Sequence, residues 1–274
     1  MPAYLTTSQA TGLKVVSLFP QNAIEHNLSN IHALVVLLDT ETGRPAALID
    51  GTYLTALRTG AASGVATRVL ARTDARVLAI FGAGAQAPLQ VAAVCAIRPI
   101  KRIWVANRTQ EHAKTFAMAL RNQQPQAEIQ IASAPGEALA EADVVCCATS
   151  STTPLFDDSA LHPGMHINGV GSFTPHMSEV PTAMVARSRI LVDQHSAAWA
   201  EAGDLIQARD AGVLDMDNVT ELGEVLAGQA VGRTSAEEIT FFKSVGVAVQ
   251  DMAVAQLARS KAVQHNYGTV IPFK

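Results

Sequence analysis

Residues 76–87, RVLAIFGAGAQA, decide the fold of this chain. The apolar run 77–81 predicts a buried strand, which stops at Gly82 and continues into a segment with helical spacing. In a G-x-G-x-x-A turn the two glycines permit the tight turn and let backbone N–H groups approach a pyrophosphate, and the small third residue packs the helix against the strand. Gly82, Gly84 and Ala87 occupy these positions. The stretch therefore predicts dinucleotide binding, with an ordinary glycine-rich turn as the alternative.

Downstream of residue 75, short apolar runs alternate with helical segments. Strands that alternate with helices at this spacing are joined by right-handed crossovers and form a parallel sheet covered on both faces. The pattern predicts an α/β fold with a doubly wound Rossmann domain. The expected strands cover residues 77–81, 102–106, 128–132, 143–149, 166–170 and 190–193.

The two ends of the chain follow a different pattern. Apolar and alternating runs predict strands, and long alanine-rich stretches predict one helix near each end. We expect both ends to form a smaller α+β domain, 1–73 with 235–274, in addition to a Rossmann domain of residues 74–234. The expected strands lie at residues 13–19, 31–38, 45–49 and 269–273, and the helices lie at 50–72 and 244–262.

Composition excludes several classes of protein. Of 274 residues, 49% are apolar and only 16% charged, so the chain is not disordered. A net charge of −4 with scattered Lys and Arg gives no basic face for nucleic acid and no polybasic membrane patch. The start lacks the features of a signal peptide, and the His and Cys residues lack metal-ligand spacing. We expect a small-molecule ligand, a cytoplasmic location and no metal.

The residue after the second Rossmann strand selects the dinucleotide. NAD sites place Asp or Glu there because a carboxylate accepts hydrogen bonds from the ribose 2′-hydroxyl, whereas the 2′-phosphate of NADP needs a cation. Here the strand is followed by Asn107, Arg108 and Thr109. The arginine and the missing acid favour NADP by charge complementarity. NAD is the alternative, with Arg108 only a solvated residue at a helix start.

Two polar loops follow later strands, at the edge where open α/β sheets bind ligands. Thr149 begins a loop rich in Ser and Thr, and residues 168–172, NGVGS, follow the next strand. The glycines would let a nicotinamide ring lie against backbone. Such loops also cap helices or turn without strain, so these residues alone leave both interpretations open.

Two cations lie in apolar sequence outside the Rossmann strands. Lys14 interrupts an apolar strand, and Arg58 lies in a helix among small and apolar residues. A buried cation needs an anion or hydrogen-bond acceptors. Arg58 can bind a carboxylate with two parallel N–H bonds, and Lys14 can titrate or polarise a carbonyl or imine. For Lys14 the alternative is an exposed ammonium whose stem covers apolar surface.

Several motifs together resemble the ornithine cyclodeaminase and mu-crystallin family. A Thr-Ala-Leu-Arg-Thr segment before a G-x-G-x-Q turn is specific to it. The matching stretches are residues 12–16, 54–63, 82–87, 107–109, 168–172, 201–205 and 242–246. The resemblance implies a homodimer, and it implies that the domain formed by both chain ends serves dimerisation and substrate binding.

The resemblance also implies roles for individual residues. Lys14 and Arg58 would bind the substrate carboxylate, and Asn30 would lie near the nicotinamide. Cofactor contacts are implied at Ala85, Gln86, Asn107, Arg108, Thr149, Val170, Gly171 and Ser244. The predicted cofactor site is completed by Thr59, Gly82, Gly84, Thr109 and Ser172.

One position separates the branches of the family. Ornithine cyclodeaminases carry an Asp just after the glycine-rich strand, where this chain has Phe173, and an aromatic ring cannot act as acid or base. Residues 172–175, SFTP, are instead similar to family members that reduce cyclic imino acids. We predict an NAD(P)H-dependent reductase that converts Δ1-pyrroline-2-carboxylate to L-proline, with Δ1-piperideine-2-carboxylate, which gives L-pipecolate, as a second candidate substrate.

Three other functions stay open. A cyclodeaminase-type lyase needs an acid near position 173, for which Glu201 and Asp204 are the nearby candidates unless they cap a helix. An alanine-type dehydrogenase would act on a linear keto acid with ammonia. The third is a non-catalytic NADPH-binding protein. Family members usually carry an N-terminal segment with a further carboxylate-binding Arg, whereas residues 1–4 of this chain, MPAY, resemble an internal stretch of the family.

Overall fold

The computed structural model describes residues 1–19 and 21–272, apart from the side chains of residues 23 and 24. These residues form a mixed α/β structure with one antiparallel and one parallel sheet. Within the part described, no helix combines the length and the apolar character needed to cross a membrane.

Two compact units divide the chain. Unit 1 takes both chain ends, residues 1–58 and 247–274, and unit 2 takes residues 59–246. The predicted domains have the same order along the chain but group residues 59–73 and 235–246 with the chain ends. A role of unit 1 in dimerisation or substrate binding stays a prediction.

Unit 1 is built on a four-stranded antiparallel sheet whose order follows the chain. Its elements are β1 (Pro2–Leu5), β2 (Ala10–Leu18), α1 (Asn22–Glu25), β3 (Ile31–Leu38), β4 (Pro45–Asp50), the first part of α2 (Gly51–Leu70), and α10 (Ala248–His265). The sequence does not predict β1 or the short α1. The strand expected at 269–273 is wrong for residues 269–272, which include a proline that cannot donate to a ladder. Residue 273 lies outside the described residues.

The two faces of this sheet differ in burial, because successive side chains of a strand point to opposite faces. Val35 and Leu37 of β3 are buried in a cluster with Met252 of α10. The opposite face, called the open face below, carries exposed apolar side chains at Tyr4, Val15, Leu34 and Leu48. Unit 1 therefore has an apolar core on one side of its sheet and an uncovered apolar surface on the other.

Unit 2 is built on an eight-stranded sheet in which every pairing is parallel. Its strands are β5 (Val77–Phe81), β6 (Arg102–Ala106), β7 (Glu128–Ile131), β8 (Val144–Cys147), β9 (His166–Gly169), β10 (Arg189–Val192), β11 (Thr220–Glu221) and β12 (Thr240–Lys243). They lie in the order β11-β10-β12-β9-β8-β5-β6-β7. The chain runs outward from β5 to β7 and returns to β8 on the other side of β5. The strand order therefore reverses between β5 and β8, which is where open α/β sheets bind ligands.

Helices cover both faces of the parallel sheet. Leu78 and Ile80 of β5 belong to one buried cluster, and Ala79 and Phe81 belong to another. Burial on both faces explains the near-continuous apolar runs from which the strands are predicted. The helices of unit 2 are the second part of α2, α3 (Ala87–Ile97), α4 (Gln110–Gln123), α5 (Pro135–Leu139), α6 (Thr182–Arg187), α7 (His195–Glu201), α8 (Gly203–Asp210) and α9 (Leu222–Leu226). The predicted α/β class, a Rossmann-like sheet with a smaller antiparallel part, is confirmed.

Two strands of unit 2 are missing from the prediction. β12 lies between β9 and β10 in the middle of the sheet, although its sequence, TFFK, follows an irregular stretch rather than a helix. β11 has only two residues. The alternation of strands and helices does not reveal either strand, because a stretch without regular helix separates β11 from α8 and β12 from α9.

Helix α2 packs closely on α3. A Cβ atom at Gly60 would lie 2.5 Å from the carbonyl oxygen of Leu89, and one at Gly64 would lie 3.2 Å from the Cβ of Ala93. Glycine at these positions lets the two helix backbones approach. The helix that follows the glycine-rich turn is thus held from its side by the small-residue face of α2.

Candidate functional site

The glycine-rich turn has the conformation that its sequence predicts. Gly82 has a φ of +104°, and a Cβ there would lie 2.5 Å from the carbonyl oxygen of Ala148, so only glycine fits. A Cβ at Gly84 would meet no atom within 4 Å, which leaves open space beside the backbone. Helix α3 begins at Ala87 without a side-chain cap. Its first N–H groups and the positive end of its dipole therefore suit an anion such as a pyrophosphate.

A cavity of about 550 Å³ opens at the carboxyl ends of β5, β6 and β8. This volume is in the range of small-molecule sites. Five of the predicted cofactor residues line it, namely Gly82, Gly84, Asn107, Arg108 and Thr149. Nearby, the side-chain oxygen of Gln86 is buried and has no hydrogen-bond partner among the described residues. Open backbone, an uncapped helix and an unpartnered amide oxygen fit a dinucleotide.

The residues after β6 line one side of this cavity. The side-chain amide of Asn107 donates to the carbonyl oxygen of Thr109 at 2.9 Å, which fixes the start of α4. Arg108 is exposed and makes no ion pair or side-chain hydrogen bond with any other described residue. Its guanidinium is therefore available to an anion that enters the cavity.

The loops after β8 and β9 are tied together by a buried glutamate. Thr149 donates from its backbone N–H and from Oγ1 to Oε1 of Glu179, at 2.6 and 2.8 Å. The N–H of Gly171 donates to Oε2 of the same side chain at 2.7 Å. The neighbouring Val170 is buried. The sequence gives no sign of Glu179, because it lies in an irregular segment and belongs to no motif.

Ser172 and Ser244 are occupied by contacts within the protein. Oγ of Ser172 donates to the carbonyl oxygen of Met177 at 3.0 Å and accepts from the N–H of Asp204 at 3.1 Å. Oγ of Ser244 donates to Oδ2 of Asp193 at 2.8 Å. Both serines are buried, so they shape their loops, and direct contact with a cofactor stays a prediction.

Three buried charged residues lie under the loops after β8 and β9. Oδ1 of Asp204 accepts from the backbone N–H of Glu179 at 2.7 Å, and Nζ of Lys243 lies 3.7 Å from Oδ2 of Asp204. Burial raises the pKa of Glu179 above its ordinary value; the Lys243 ammonium opposes this, and the Asp204 carboxylate adds to it. We call Glu179, Asp204 and Lys243 the carboxylate cluster.

A second buried group of charges lies in unit 1. Nζ of Lys14 lies 2.8 Å from Oδ2 of Asp251, and Nε of Arg58 donates to Oδ1 at 3.2 Å. Nη1 of Arg58 also donates to the side-chain oxygen of Gln250 at 3.2 Å. We call Lys14, Arg58 and Asp251 the cation cluster. Two cations share one carboxylate, so the cluster has a formal charge of +1.

The alternative prediction for Lys14, an exposed ammonium, is wrong, because this side chain is only 3% exposed. Burial lowers the pKa of Lys14 below the ordinary lysine value; the nearby Arg58 guanidinium lowers it further, and Asp251 opposes both. Asp251 is absent from the predicted site. The sequence signal that identifies Lys14 also applies to Asp251, because both are charged residues inside an apolar stretch.

The other predicted residues lie in both units. Asn30 is half-buried just before β3 in unit 1. Thr59 is buried in α2. Thr109 precedes α4 without capping it, and Ala85 is exposed in the glycine-rich turn. No group of three or more His, Cys, Asp or Glu in the described ranges could hold a metal.

Neither candidate acid for a lyase has a suitable environment. Asp204 is fully buried, with Oδ1 held by backbone N–H groups of Glu179 and Val180. Glu201 is exposed at the end of α7. Phe173 lies in the loop after β9, and its aromatic ring cannot act as acid or base. Within the residues described, the carboxylate cluster supports the loop rather than offering an acid to a ligand.

Comparison with known proteins decides the family. The model of the ornithine cyclodeaminase/mu-crystallin family matches residues 1–266. The chain belongs to this family. Among its relatives, a Δ1-pyrroline-2-carboxylate reductase of Bacillus cereus is 42% identical over 275 residues, which cover 100% of this chain and 84% of that protein.

Solved structures of family members are similar over the whole chain. Δ1-Pyrroline-2-carboxylate reductase of Thermococcus litoralis, in complex with NADH and L-proline, has a TM-score of 0.95 and 40% identity, covering 99% of this chain and 84% of that one. An archaeal alanine dehydrogenase dimer with bound NAD has a TM-score of 0.92 and 34% identity, covering 100% and 83%. The predicted family, its reductase branch and the oxidoreductase class are confirmed.

Proposed function

We propose that this member of the ornithine cyclodeaminase/mu-crystallin family reduces Δ1-pyrroline-2-carboxylate to L-proline with a nicotinamide dinucleotide. The observation that carries the proposal is the similarity, at a TM-score of 0.95 and 40% identity, to a reductase whose structure holds NADH and L-proline. The cavity at the strand reversal and the uncapped α3 support dinucleotide binding, and the cation cluster supports binding of a carboxylate.

The substrate carboxylate binds to Lys14 and Arg58. A buried cluster with one carboxylate for two cations keeps an excess positive charge, and a single substrate carboxylate balances it. Arg58 provides N–H groups in a planar fork, which suits bidentate binding of a carboxylate. Fixing the carboxylate fixes the imine carbon, and orientation of this kind lowers a barrier by several kcal/mol, roughly 7–11 in the best cases.

Lys14 is the candidate proton donor to the imine nitrogen. A bound nicotinamide cofactor would supply a hydride to the imine carbon, and the nitrogen must take up a proton for the C=N bond to become CH–NH. Burial and Arg58 lower the pKa of Lys14, so its ammonium gives up a proton more readily than an ordinary lysine does. Solvent then restores the proton after each turnover.

NADP is the proposed preferred cofactor, and NAD is the alternative. Arg108 lines the cavity and no carboxylate follows β6, so a 2′-phosphate gains a charge-assisted bond there. We expect Arg108→Ala to weaken NADPH binding about tenfold to a hundredfold and NADH binding much less. Fluorescence titration with both cofactors measures this, with the exposed Lys114→Ala in α4 as the control. Equal losses for NADPH and NADH would contradict the role of Arg108.

Oxidation of NADPH and NADH with different substrates tests the function directly. Δ1-Pyrroline-2-carboxylate should be reduced, and Δ1-piperideine-2-carboxylate should show whether the larger ring is accepted. Pyruvate with ammonium tests the second candidate, an alanine-type dehydrogenase, which the archaeal relative favours. Ornithine tests the lyase. Folded protein that binds cofactor but turns over none of these would contradict the reductase.

A homodimer is the proposed assembly. The open face of unit 1 exposes Tyr4, Val15, Leu34 and Leu48 on one side of its sheet, and contiguous apolar surface of this kind marks a protein interface. The archaeal alanine dehydrogenase is described as a dimer. Light scattering should give twice the chain mass, and Leu34→Lys should shift it toward the monomer. The cytoplasmic location stays a prediction.

A further inference from the structure

Glu179 connects two loops that come from neighbouring strands. Its Oε1 accepts from Thr149 in the loop after β8, and its Oε2 accepts from Gly171 in the loop after β9. These loops lie on the far side of the strand reversal from Asn107 and Arg108. Since the two halves of a Rossmann sheet each bind one mononucleotide, the loops after β8 and β9 serve the nicotinamide half.

The glutamate is packed against the loops without space to move. A Cβ at Gly171 would lie 2.4 Å from Oε1 of Glu179 and 2.2 Å from the carbonyl oxygen of Thr149. Glycine at 171 therefore lets the carboxylate reach both loops at once. The Glu179 carboxylate therefore connects the two loops directly.

The rest of the carboxylate cluster holds Glu179 from below. Oδ1 of Asp204 accepts from the backbone N–H groups of Glu179 and Val180, at 2.7 and 3.2 Å. Nζ of Lys243 donates to the carbonyl oxygen of Gly169 at 3.2 Å, in the strand that leads into the second loop. All three side chains of the cluster are buried. Three of the sequence motifs that carry the family resemblance, at residues 168–172, 201–205 and 242–246, thus contact one another around this buried cluster.

We propose that Glu179 is a positioning residue, whose carboxylate holds the loops at Thr149 and Gly171 in the arrangement that binds the nicotinamide half of the cofactor. This inference rests on the proposed function. The ionised carboxylate offers only acceptors to Thr149 and Gly171. An amide or a neutral carboxyl presents a donor on one side, so one of the two loops loses its acceptor.

The test compares Glu179→Gln with wild type in equilibrium binding of four probes. NADPH and NADH carry the nicotinamide, whereas 2′-phospho-ADP-ribose and ADP-ribose lack it. We expect the Kd of NADPH and NADH to rise at least about tenfold. The Kd of the two fragments should rise clearly less than that of NADPH and NADH, because the fragments lack the nicotinamide ring.

Glu238→Gln is the matched control. Glu238 is partly rather than fully buried, but like Glu179 it accepts hydrogen bonds from the chain, from Arg189 at 2.7 Å and from the N–H of Thr234 at 2.8 Å. It precedes β12, so it lies at the amino ends of the strands, opposite to Glu179 in the sheet. This variant should leave the Kd of all four probes unchanged.

A second measurement uses wild-type protein alone and does not depend on a variant that folds. The ratio of the Kd of NADH to that of ADP-ribose should rise as the pH falls and Glu179 becomes protonated. The charged or titratable groups that act on Glu179 are Lys243 from β12, Asp204 from α8, and Cys146 and Cys147 from β8. The inference would be overturned if Glu179→Gln raised the Kd of all four probes equally, or raised the Kd of none. It would also be overturned if the ratio of the Kd of NADH to that of ADP-ribose did not change with pH.

The same data separate this inference from the proposed function. Wild-type protein that binds neither NADPH nor NADH would overturn both. Wild-type protein that binds them, shows the selective loss in Glu179→Gln and fails to reduce Δ1-pyrroline-2-carboxylate would support the role of Glu179 and contradict the reductase.

Discussion

The two units each bury a group of charges, and the groups differ in sign. The cation cluster of unit 1 has two cations and one carboxylate, and the carboxylate cluster of unit 2 has two carboxylates and one ammonium. Burying a charge without a partner is costly, so the excess in each cluster must be balanced. How it is balanced differs between the two.

In unit 2 three of the four carboxylate oxygens accept hydrogen bonds from backbone N–H groups, those of Thr149, Gly171, Glu179 and Val180. The fourth, Oδ2 of Asp204, faces the Lys243 ammonium at 3.7 Å. In the described part of unit 1, no second carboxylate lies within ion-pair distance of Lys14 or Arg58. A cluster whose carboxylates are held mainly by backbone N–H groups of the loops supports those loops, whereas a cluster with an unbalanced cation suits an anionic ligand. The comparison therefore distinguishes a supporting cluster from a binding cluster.

The largest expected effect is that of Arg58→Ala. Removing the guanidinium takes away one partner of the substrate carboxylate and leaves a formally neutral pair, so kcat/KM for Δ1-pyrroline-2-carboxylate should fall by about a hundredfold to a thousandfold. The exposed Arg68→Ala, on the same helix, should change little. The Kd of NADH should stay within about twofold of wild type. A comparable loss of cofactor binding would contradict a division of labour between the clusters.

Asp251→Asn should have an intermediate effect that depends on pH. Burial and Arg58 lower the pKa of Lys14, and Asp251 raises it. The protonated lysine is the active form, so kcat/KM should fall as pH rises through a pKa below the ordinary 10.5 of lysine. We call this fall the alkaline limb of the pH profile. Without the Asp251 carboxylate the alkaline limb should move to lower pH, so kcat/KM near its midpoint should be lower by about tenfold.

The pH profile of kcat/KM for wild type and Asp251→Asn gives this comparison, with the exposed Glu41→Gln as the control. An alkaline limb that stays in place when Asp251 is replaced would mean that the limb does not belong to Lys14. The cation cluster would then bind the carboxylate without supplying the proton.

The smallest effect concerns stability. Burial raises the pKa of Glu179 in the folded chain. As pH rises from the ordinary range of glutamate through this raised pKa, the unfolded chain loses its proton first, so the folded state becomes relatively less stable. Glu179→Gln lacks this titration, so its Tm relative to wild type should increase between about pH 5 and about pH 8. Calorimetry at both pH values measures the difference. A relative Tm that falls instead would mean that folding lowers the pKa of Glu179 rather than raising it.

The sequence predicts what local patterns determine. The glycine-rich turn, the strand–helix alternation and the separate positions of Lys14 and Arg58 all follow from residues close together in the chain. Burial of both cations in apolar surroundings also agrees with their apolar neighbours in sequence. These features need no knowledge of the pairing of distant segments.

Contacts between distant segments are what the sequence does not predict. Asp251 is 193 residues from Arg58, and it reaches the cation cluster only because α10 packs on the N-terminal sheet. Glu179 reaches Thr149 across 30 residues of mostly irregular chain. The inner strand β12 pairs with β9 and β10 after an irregular stretch, residues 227–239. In each case the partner is selected by three-dimensional packing rather than by spacing.

The close contact of α2 with α3 limits how this protein can be redesigned for heat resistance. Alanine in place of a helical glycine ordinarily stabilises a protein by roughly 1 kcal/mol, and Gly60 is an obvious target for such engineering. An added methyl group there would lie 2.5 Å from the carbonyl oxygen of Leu89. It would push α3 and its phosphate-facing N-terminus away from the position that the turn requires. Thermostabilising libraries should therefore leave this position unchanged and vary the solvent-facing positions of α4 and α10 instead.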